Sequence, residues 1–462
     1  MFAERLSALD ASFLDLETYG SRMQIGALAT FDATPVARDS GGIDFERIAR
    51  FVEGALEAVP RYRQRIARAR GLGHPYWIDD DHFRLRYHLR HAALPAPGDE
   101  RQLKRLAGRV FSQRLDRDRP LWQLWVVECL EGDRFALVFS VHHCLADGIA
   151  GAGILRALFT ASEQARPPWT PRPAPSRAGL LAMEIRHRAR AVAAVPGRIR
   201  RGAQAPRRTF ETARDAMQRA LATLRTGLSA ASPSPLNPRH IGPHRRFDAC
   251  RLDLDAMKAV KNAHGGHLND VVLAVAAGAL GRYLRRRGQD PTELDDFRAL
   301  VPVSTRTGAS AAAGNAVALM YVRLPLEETD PLTRYRAVLA ETHRAKVDAG
   351  YAQTSALLES VADATATSLV TGLMRVTVAR RSYNVVITNV PGPPFPLSLL
   401  GARMEAVYPE VPLYDNQALG IALMSYDGGM YWGFHADWSV LDDLHRLADD
   451  VRASFGELHA LG

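Results

Sequence analysis

Between residues 45 and 56 the apolar positions recur at helical spacing. Phe45, Ile48, Phe51, Val52 and Leu56 fall on one side, which predicts a helix there. Residues 102–115 read as a second helix. A Trp- and Val-rich run at 121–129 and an apolar run at 135–141 read as strands. Leu130-Glu131-Gly132-Asp133 between them has turn chemistry, so the pair is expected as an antiparallel hairpin. Residues 149–160 return to helical spacing. Pro-rich runs then bracket two Ala/Arg-rich helical windows, 179–195 and 209–228. From residue 246 the mixed pattern resumes. Strands are expected at 246–252, 297–303, 316–324 and 383–390, and again over 419–436, where Asp427-Gly428-Gly429 makes a hairpin turn. Helices are expected at 255–263 and 269–287. In the second of these Asn269 is placed to cap the start and Gly288 to end it. Its small residues, Ala274, Ala276, Ala277, Gly278, Ala279 and Gly281, predict close packing on several faces. The division is therefore an α/β domain at 1–160, a crossover at 161–245 and a second α/β domain at 246–462.

With 462 residues the chain is long enough for about two to four domains. Hydrophobic residues at 47% and charged residues at 24% exclude global disorder and collagen-like or disulfide-scaffold chains. No apolar run approaches the roughly 18 residues of a membrane span. The start, Met1-Phe2-Ala3-Glu4-Arg5, shows no secretory signal. Three scattered cysteines, Cys129, Cys144 and Cys250, fit a reducing cytoplasm and offer no zinc framework. The net charge of +9 is unevenly placed. Residues 166–246 hold 17 arginines against Glu184, Glu211 and Asp215, a net of +14, so the remainder carries 9 − 14 = −5. Any polyanionic partner belongs to that segment. Its aromatics, Trp169 and Phe210 with Phe247 just beyond, are too few for base-stacking platforms, so nucleic acid is not expected.

The chemistry concentrates in His142-His143-Cys144-Leu145-Ala146-Asp147-Gly148, where a strand meets a loop. Three readings of the residues stand. They are satisfied core polar groups, a metal triad of His142, His143 and Asp147, or a general base with its support. Strand geometry argues against the triad, because adjacent side chains point to opposite faces. His143 shares a face with Val141, Phe139 and Leu137, and His142 shares the other with Ser140 and Val138. One imidazole can then face a cavity, neutral at pH 7 and able to accept a hydroxyl proton, while the other packs inward. Asp147 either orients that imidazole or pairs with a distant arginine and braces the loop. Gly148 lets the chain turn. Cys144 is a candidate acyl nucleophile only if it converges with His143, and neighbouring side chains diverge. A small buried hydrophobe is the plainer reading.

His142-His143-x-x-x-Asp147-Gly148 resembles the HHxxxDG motif of the CoA-dependent acyltransferase superfamily. Further segments narrow the resemblance. Leu9-Asp10-Ala11-Ser12-Phe13, Pro120-Leu121-Trp122, Leu268-Asn269-Asp270, Val301-Pro302-Val303-Ser304 and Asn389-Val390-Pro391-Gly392-Pro393 look like the bacterial wax ester synthase/diacylglycerol acyltransferase family, in its order and over nearly the whole chain. The resemblance implies two chloramphenicol-acetyltransferase-like domains joined by the long basic crossover, with a tunnel between them. It implies no cofactor and no metal, with acyl-CoA as co-substrate and a lipid alcohol as acceptor. His143 would be the base, with His142, Asp147 and Gly148 completing the motif. Asn269, Thr388 and Asn389 are oxyanion-donor candidates, with Asp270 beside them. Plainer readings exist for each: Asn269-Asp270 as a helix cap, Asn389 to Pro393 as a turn, Pro120-Leu121-Trp122 as a strand entry. The alternatives to lipid-alcohol acylation are transfer to a polyketide or glycolipid hydroxyl or an amine, and a lipid-binding protein with a vestigial site. The expected location is the cytoplasm, with peripheral contact at an anionic membrane face or lipid droplet through the crossover. There Leu181, Ile185, Val192 and Val195 have helical spacing, with Arg186, Arg188 and Arg190 interleaved.

Overall fold

The computed structural model describes residues 2–68, 74–145, 157–159, 169–203, 229–304, 317–349, 372, 375–376 and 380–461. In the first part of the chain the strands are β1 (Glu4–Arg5), β2 (Gln24–Asp32), β3 (Gln64–Arg68), β4 (Pro75–Asp79), β5 (Leu89–Ala93), β6 (Trp122–Leu130) and β7 (Arg134–His142). After the crossover come β8 (Arg245–Asp253), β9 (Arg298–Ser304), β10 (Val317–Arg323), β11 (Val385–Pro391), β12 (Ser398–Leu399), β13 (Ala402–Glu410), β14 (Leu419–Tyr426) and β15 (Gly429–Asp437). They build two six-stranded sheets, β12-β13-β2-β7-β6-β5 and β10-β9-β11-β14-β15-β8, and a small third sheet, β1-β4-β3. The fold is α/β, with two sheet-containing lobes joined by helices.

The expected hairpin is β6–β7, antiparallel, with Gly132 at φ +77° and Asp133 at φ +50° in its turn. Both faces of β7 are buried. Phe135, Leu137, Phe139 and Val141 enter one core, shared with the helices Ala8–Leu16 and Phe45–Ala55. Ala136 and Val138 enter another, shared with the helix Glu100–Phe111 and with Phe247 and Ala249 of β8. That helix starts on a capping box between Asp99 and Gln102. It fills the space between the first sheet and the first strand of the second.

In the second lobe the helix Leu268–Arg286 is the core element, buried from Asp270 to Gly281. A Cβ on Gly278 would collide with Ser454, and one on Gly281 with the Leu326 carbonyl, so its small residues do serve close packing. One expectation is corrected. The N-cap is His267, and Asn269 lies inside the first turn. The carboxylate of Asp270 accepts the His267 N–H at 2.7 Å, which does the capping from within the helix. At the other end Gly288 takes φ +78°, as expected of a terminator.

The division at residue 246 is not clean at the level of sheets. Residues 398–410 leave the second lobe, and β13 pairs antiparallel with β2 of the first, from Met404↔Phe31 to Glu410↔Gly26. The chain then returns to β14, which lies parallel to β11. Close backbone approach secures the return, since a Cβ on Gly433 would strike the Pro409 carbonyl. Tyr431 donates its hydroxyl to Glu405 O at 3.0 Å, and Tyr426 donates to Met404 O at 2.9 Å. The buried Arg245 donates to Gly20 O of the first lobe and to Gly242 O at 2.6 Å.

The crossover helix predicted at 179–195 spans Arg177–Ala203. Leu180 and Met183 pack on Tyr76 of β4. Between them and the arginine-rich surface sits Glu184, fully buried, bound by Arg5 Nε at 3.0 Å, Tyr76 Oη at 2.9 Å and Arg188 Nε at 2.8 Å. Burial alone would raise its pKa. The Arg5, Arg188 and Tyr76 hydrogen bonds outweigh that and hold it at about 2. The proposed apolar stripe is amended accordingly. Leu181 is half-buried and Ile185 exposed, whereas Leu180 and Met183 make the contact with the lobe. The window 209–228, and 149–160 apart from 157–159, lie outside the described residues.

Candidate active site

The site is built where β7 runs out. His142 is the last strand residue, opposite Gln24 of β2. Its N–H donates to Leu121 O at 2.9 Å, so the Pro120-Leu121-Trp122 segment supports the backbone just before the turn. The next residue leaves the ladder. His143 donates its N–H to Met23 O at 2.7 Å and opens a 3-10 turn, His143–Leu145. The Cys144 N–H then donates to His142 Nδ1 at 3.2 Å. An imidazole accepting at Nδ1 carries its neutral-form proton on Nε2. His142 thus closes the turn that presents His143, much as an Asn or Asp side chain closes a turn on its own backbone. Burial, with the charges of Arg117, His143 and Arg114, depresses its pKa well below 6.5.

The adjacent imidazoles are treated differently. His142 is 1% exposed, and its Nε2 has no hydrogen-bond partner among the described residues. His143 is half-buried and lies face-on against Phe13, with ring centroids 3.9 Å apart and planes 27° apart. Its Nδ1 is shut away from solvent and has no partner on another described residue. Burial pushes its pKa down to about 4, against a small opposing effect of its own backbone carbonyl, so the ring is neutral at pH 7. The face expected from strand alternation survives the change into the turn, because Phe13 belongs to the same core as Phe139 and Val141.

Phe13 was the part of this arrangement not assigned from the sequence. Its helix is fixed at both ends. Ser7 caps the start, accepting the Asp10 N–H at 3.0 Å and donating its hydroxyl to Asp10 Oδ2 at 2.6 Å. Arg117 clamps the other end, reaching Leu14 O at 2.6 Å and Glu17 Oε2 at 3.0 Å. The sequence signal was available in Leu9-Asp10-Ala11-Ser12-Phe13, but only the fold places that helix under the imidazole. A second unassigned pair, Ser140 donating to Gln24 Oε1 at 2.7 Å, ties β7 to β2 just below His142.

Cys144 is buried, and its pKa is raised well above the usual thiol value, chiefly by burial and then by the Asp10 carboxylate. A thiol held protonated in an apolar core is a poor nucleophile. Trp122, also buried, stacks on His88 at 4.8 Å and donates Nε1–H to Tyr62 O at 2.7 Å, a structural anchor. Among the described residues no group of three or more His, Cys, Asp and Glu is arranged to hold a metal ion. Asp147 and Gly148 lie outside the described residues. Asn269 and Asp270 start the core helix of the second lobe. Thr388 and Asn389, both half-buried, sit late in β11 opposite Ala422 and Leu423 of β14. The described contacts of these four residues lie within the second lobe and do not reach the His143 ring.

Residues 6–272 match the wax ester synthase/diacylglycerol acyltransferase catalytic domain, and residues 313–459 match the C-terminal domain of the same family. The chain belongs to the wax ester synthase/diacylglycerol acyltransferase family. A putative diacylglycerol O-acyltransferase of Mycobacterium tuberculosis strain CDC 1551 is 32% identical, over 98% of this chain and 90% of its own length. A probable diacylglycerol O-acyltransferase of M. tuberculosis strain H37Rv is also 32% identical, over 99% of this chain and 96% of its own. Among solved structures, the wax ester synthase/diacylglycerol acyltransferase of Marinobacter aquaeolei VT8 covers 99% of both chains at 27% identity and a TM-score of 0.69. The first condensation domain of the CDA synthetase, at 17% identity and a TM-score of 0.57, shares the fold alone. His142 and His143, at the end of β7, fall inside the matched catalytic domain.

Proposed function

We propose that the chain is an acyl-CoA-dependent O-acyltransferase of the diacylglycerol/wax ester type, with His143 as the general base. The observation that carries the residue assignment is the His143 ring. It is neutral, half-buried and clamped on Phe13, and with Nδ1 shut in, Nε2 is the nitrogen left to meet substrate. His143 Nε2 takes the proton of the lipid hydroxyl as its oxygen attacks the thioester carbonyl. The tetrahedral intermediate collapses with cleavage of the carbon–sulfur bond, and the imidazolium returns the proton to the leaving CoA thiolate. Ester and free CoA result, and no acyl group passes through Cys144. The oxyanion is assigned to donors from Asn269, Thr388 or Asn389, with Asp270 holding its helix start. Asp147 is assigned the support of the base, and Gly148 completes the motif.

In the same reading the lobes are chloramphenicol-acetyltransferase-like. Residues 1–160 and 246–462 form them, 398–410 being lent to the first sheet, and 161–245 make the crossover. Product analysis tests the reaction. With acyl-CoA and either diacylglycerol or hexadecanol, we expect stoichiometric CoA release and triacylglycerol or wax ester. CoA release with no ester to either acceptor, or no turnover with both, would refute lipid-alcohol transfer.

None of the described helices is long and apolar enough to cross a membrane. Contact with the lipid phase is therefore assigned to the crossover, whose Arg186 and Arg190 are exposed beside Ile185, itself 54% exposed. Each arginine near an anionic surface contributes about 1 kcal/mol and is screened by salt. Arg188 is engaged with Glu184 and is left unchanged in the test. Replacing Arg186, Arg190, Arg198, Arg200 and Arg201 by Gln should abolish salt-sensitive binding to anionic vesicles and spare activity on a short soluble alcohol. Vesicle binding equal to that of the parent would count against this contact.

A further inference from the structure

A second feature lies one helical turn from Phe13, on which the imidazole rests. A cleft of about 590 Å³ opens between the end of the helix Ala8–Leu16, through Leu16 and Thr18, and residues of the crossover's end and the second lobe. Its polar lining is dominated by Arg239, His240, Arg375, Arg380 and Arg381, with Asp415 as the carboxylate. Asp415 already accepts the Thr18 hydroxyl at 3.3 Å. Arg375 donates to the backbone carbonyl of Asp15 at 2.7 Å. Among the described residues none of the four arginines forms an ion pair, whereas Arg5, Arg68, Arg117, Arg286 and Arg403 do. Arg381, half-buried, holds its Nε shut from solvent with no partner among the described residues, on a backbone at φ +51°.

Four guanidinium groups converging on one concavity repel each other and focus a positive field. Their planar forks match phosphate oxygens in pairs. Leu16 lies three residues, about 5 Å along the helix axis, beyond Phe13, on which the His143 ring rests. The cleft and the imidazole therefore adjoin the same nine-residue helix. We propose that this cleft seats the phosphates of the acyl donor, the diphosphate and 3′-phosphate of CoA, so that the pantetheine arm runs along the helix Ala8–Leu16 towards His143. The assignment rests on acyl-CoA being the donor. It adds the cleft arginines as specificity determinants, and they take no part in the bond-making step.

The test separates binding from turnover. Arg239 and Arg380 are exposed, so an Arg239→Gln/Arg380→Gln double variant should fold with an unchanged melting temperature. Arg381→Gln is the second variant. By calorimetry, without acceptor, each should weaken CoA binding about tenfold or more, since each removes charge-assisted hydrogen bonds. The KM for palmitoyl-CoA should rise in step while kcat stays within about twofold. With S-palmitoyl-pantetheine, which has no phosphates, parent and variants should have the same KM. Inorganic phosphate and a short-chain phosphatidic acid serve as the competing anions. Either one binding the parent as tightly as CoA would assign the cleft to another phosphate source and overturn the proposal. Unchanged CoA affinity in both variants, or equal losses with the pantetheine donor, would overturn it as well. CoA binding that depends on these arginines in a chain forming no lipid ester would instead fail the acceptor reading and leave the cleft assignment standing.

Discussion

His143→Ala is expected to lower kcat/KM for ester formation by about 10²–10⁴-fold, the usual contribution of a positioned general base. The fold should persist. The ring is half-buried and its main described contact is the stack on Phe13, worth about 0.5–1.5 kcal/mol. In a chain of 462 residues that shifts the melting temperature by only a few degrees. The pH profile of the parent supplies an independent check. Because burial holds the ring at about 4, the basic form is fully present at neutral pH. Activity should be flat from pH 8 down to the acid range and fall only as the ring protonates near 4. Near-parental activity in the alanine variant would remove His143 from the base role. An activity pKa near 6.5 would show the ring to be solvated in the working enzyme.

Acidification should destabilise the protein well above the carboxylate range. Burial pushes His74 and His88 down to about 4, as it does His143, and depresses His142 well below 6.5. His74 is held at Leu6 O at 3.0 Å, and His88 donates Nδ1–H to Trp122 O at 2.9 Å. For each, the unfolded chain binds the proton first, near pH 6.5. Stability is therefore complete above that value and lost as pH falls from 6.5 towards 4. The slope is at most about 1.4 kcal/mol per pH unit for each imidazole. Glu184, held at about 2, adds its loss only at lower pH, between the ordinary carboxylate value and 2. Denaturant midpoints at pH 7.5, 6.0 and 5.0 should fall progressively. In His88→Phe the decline should flatten by about one imidazole's share. A midpoint that does not change between pH 7.5 and 5.0 would contradict neutral burial of these rings.

Local pattern carried much of the architecture. The β6–β7 hairpin, the helix Phe45–Ala55, the helix Leu268–Arg286 and the β14–β15 hairpin lie within a residue or two of their expected places. Their signals are short-range: alternation, helical spacing and turn residues with positive φ. Two central elements of the first sheet were not expected at all. The first is β2, whose Gly26, Ala27 and Ala29 give little apolar contrast, and its Gly26 is needed because a Cβ there would strike the Phe139 carbonyl. The other, β13, finds its partner strand nearly the whole chain away, and no local pattern specifies such a pairing. The cap of the Leu268–Arg286 helix was misread because Asp270 satisfies the end from inside, where an N-cap residue was expected to do so from outside.

The sequence by itself determined the chemistry on offer. Two adjacent histidines at a strand end, with Asp147 and Gly148 at fixed spacing, name the motif, and the ordered segments around it name the family. It determined also that charge is segregated into the crossover. Tertiary structure alone decided which imidazole is buried and which is presented, because that depends on where β7 ends and on the helix lying beneath the turn. Phe13 under His143, the neutral state of both rings, Glu184 neutralised within an arginine-rich helix and the clustering of Arg239 with Arg380 and Arg381 all join residues far apart in the chain. Desolvation and Coulomb interactions act over ångströms in space, and sequence spacing does not encode that distance.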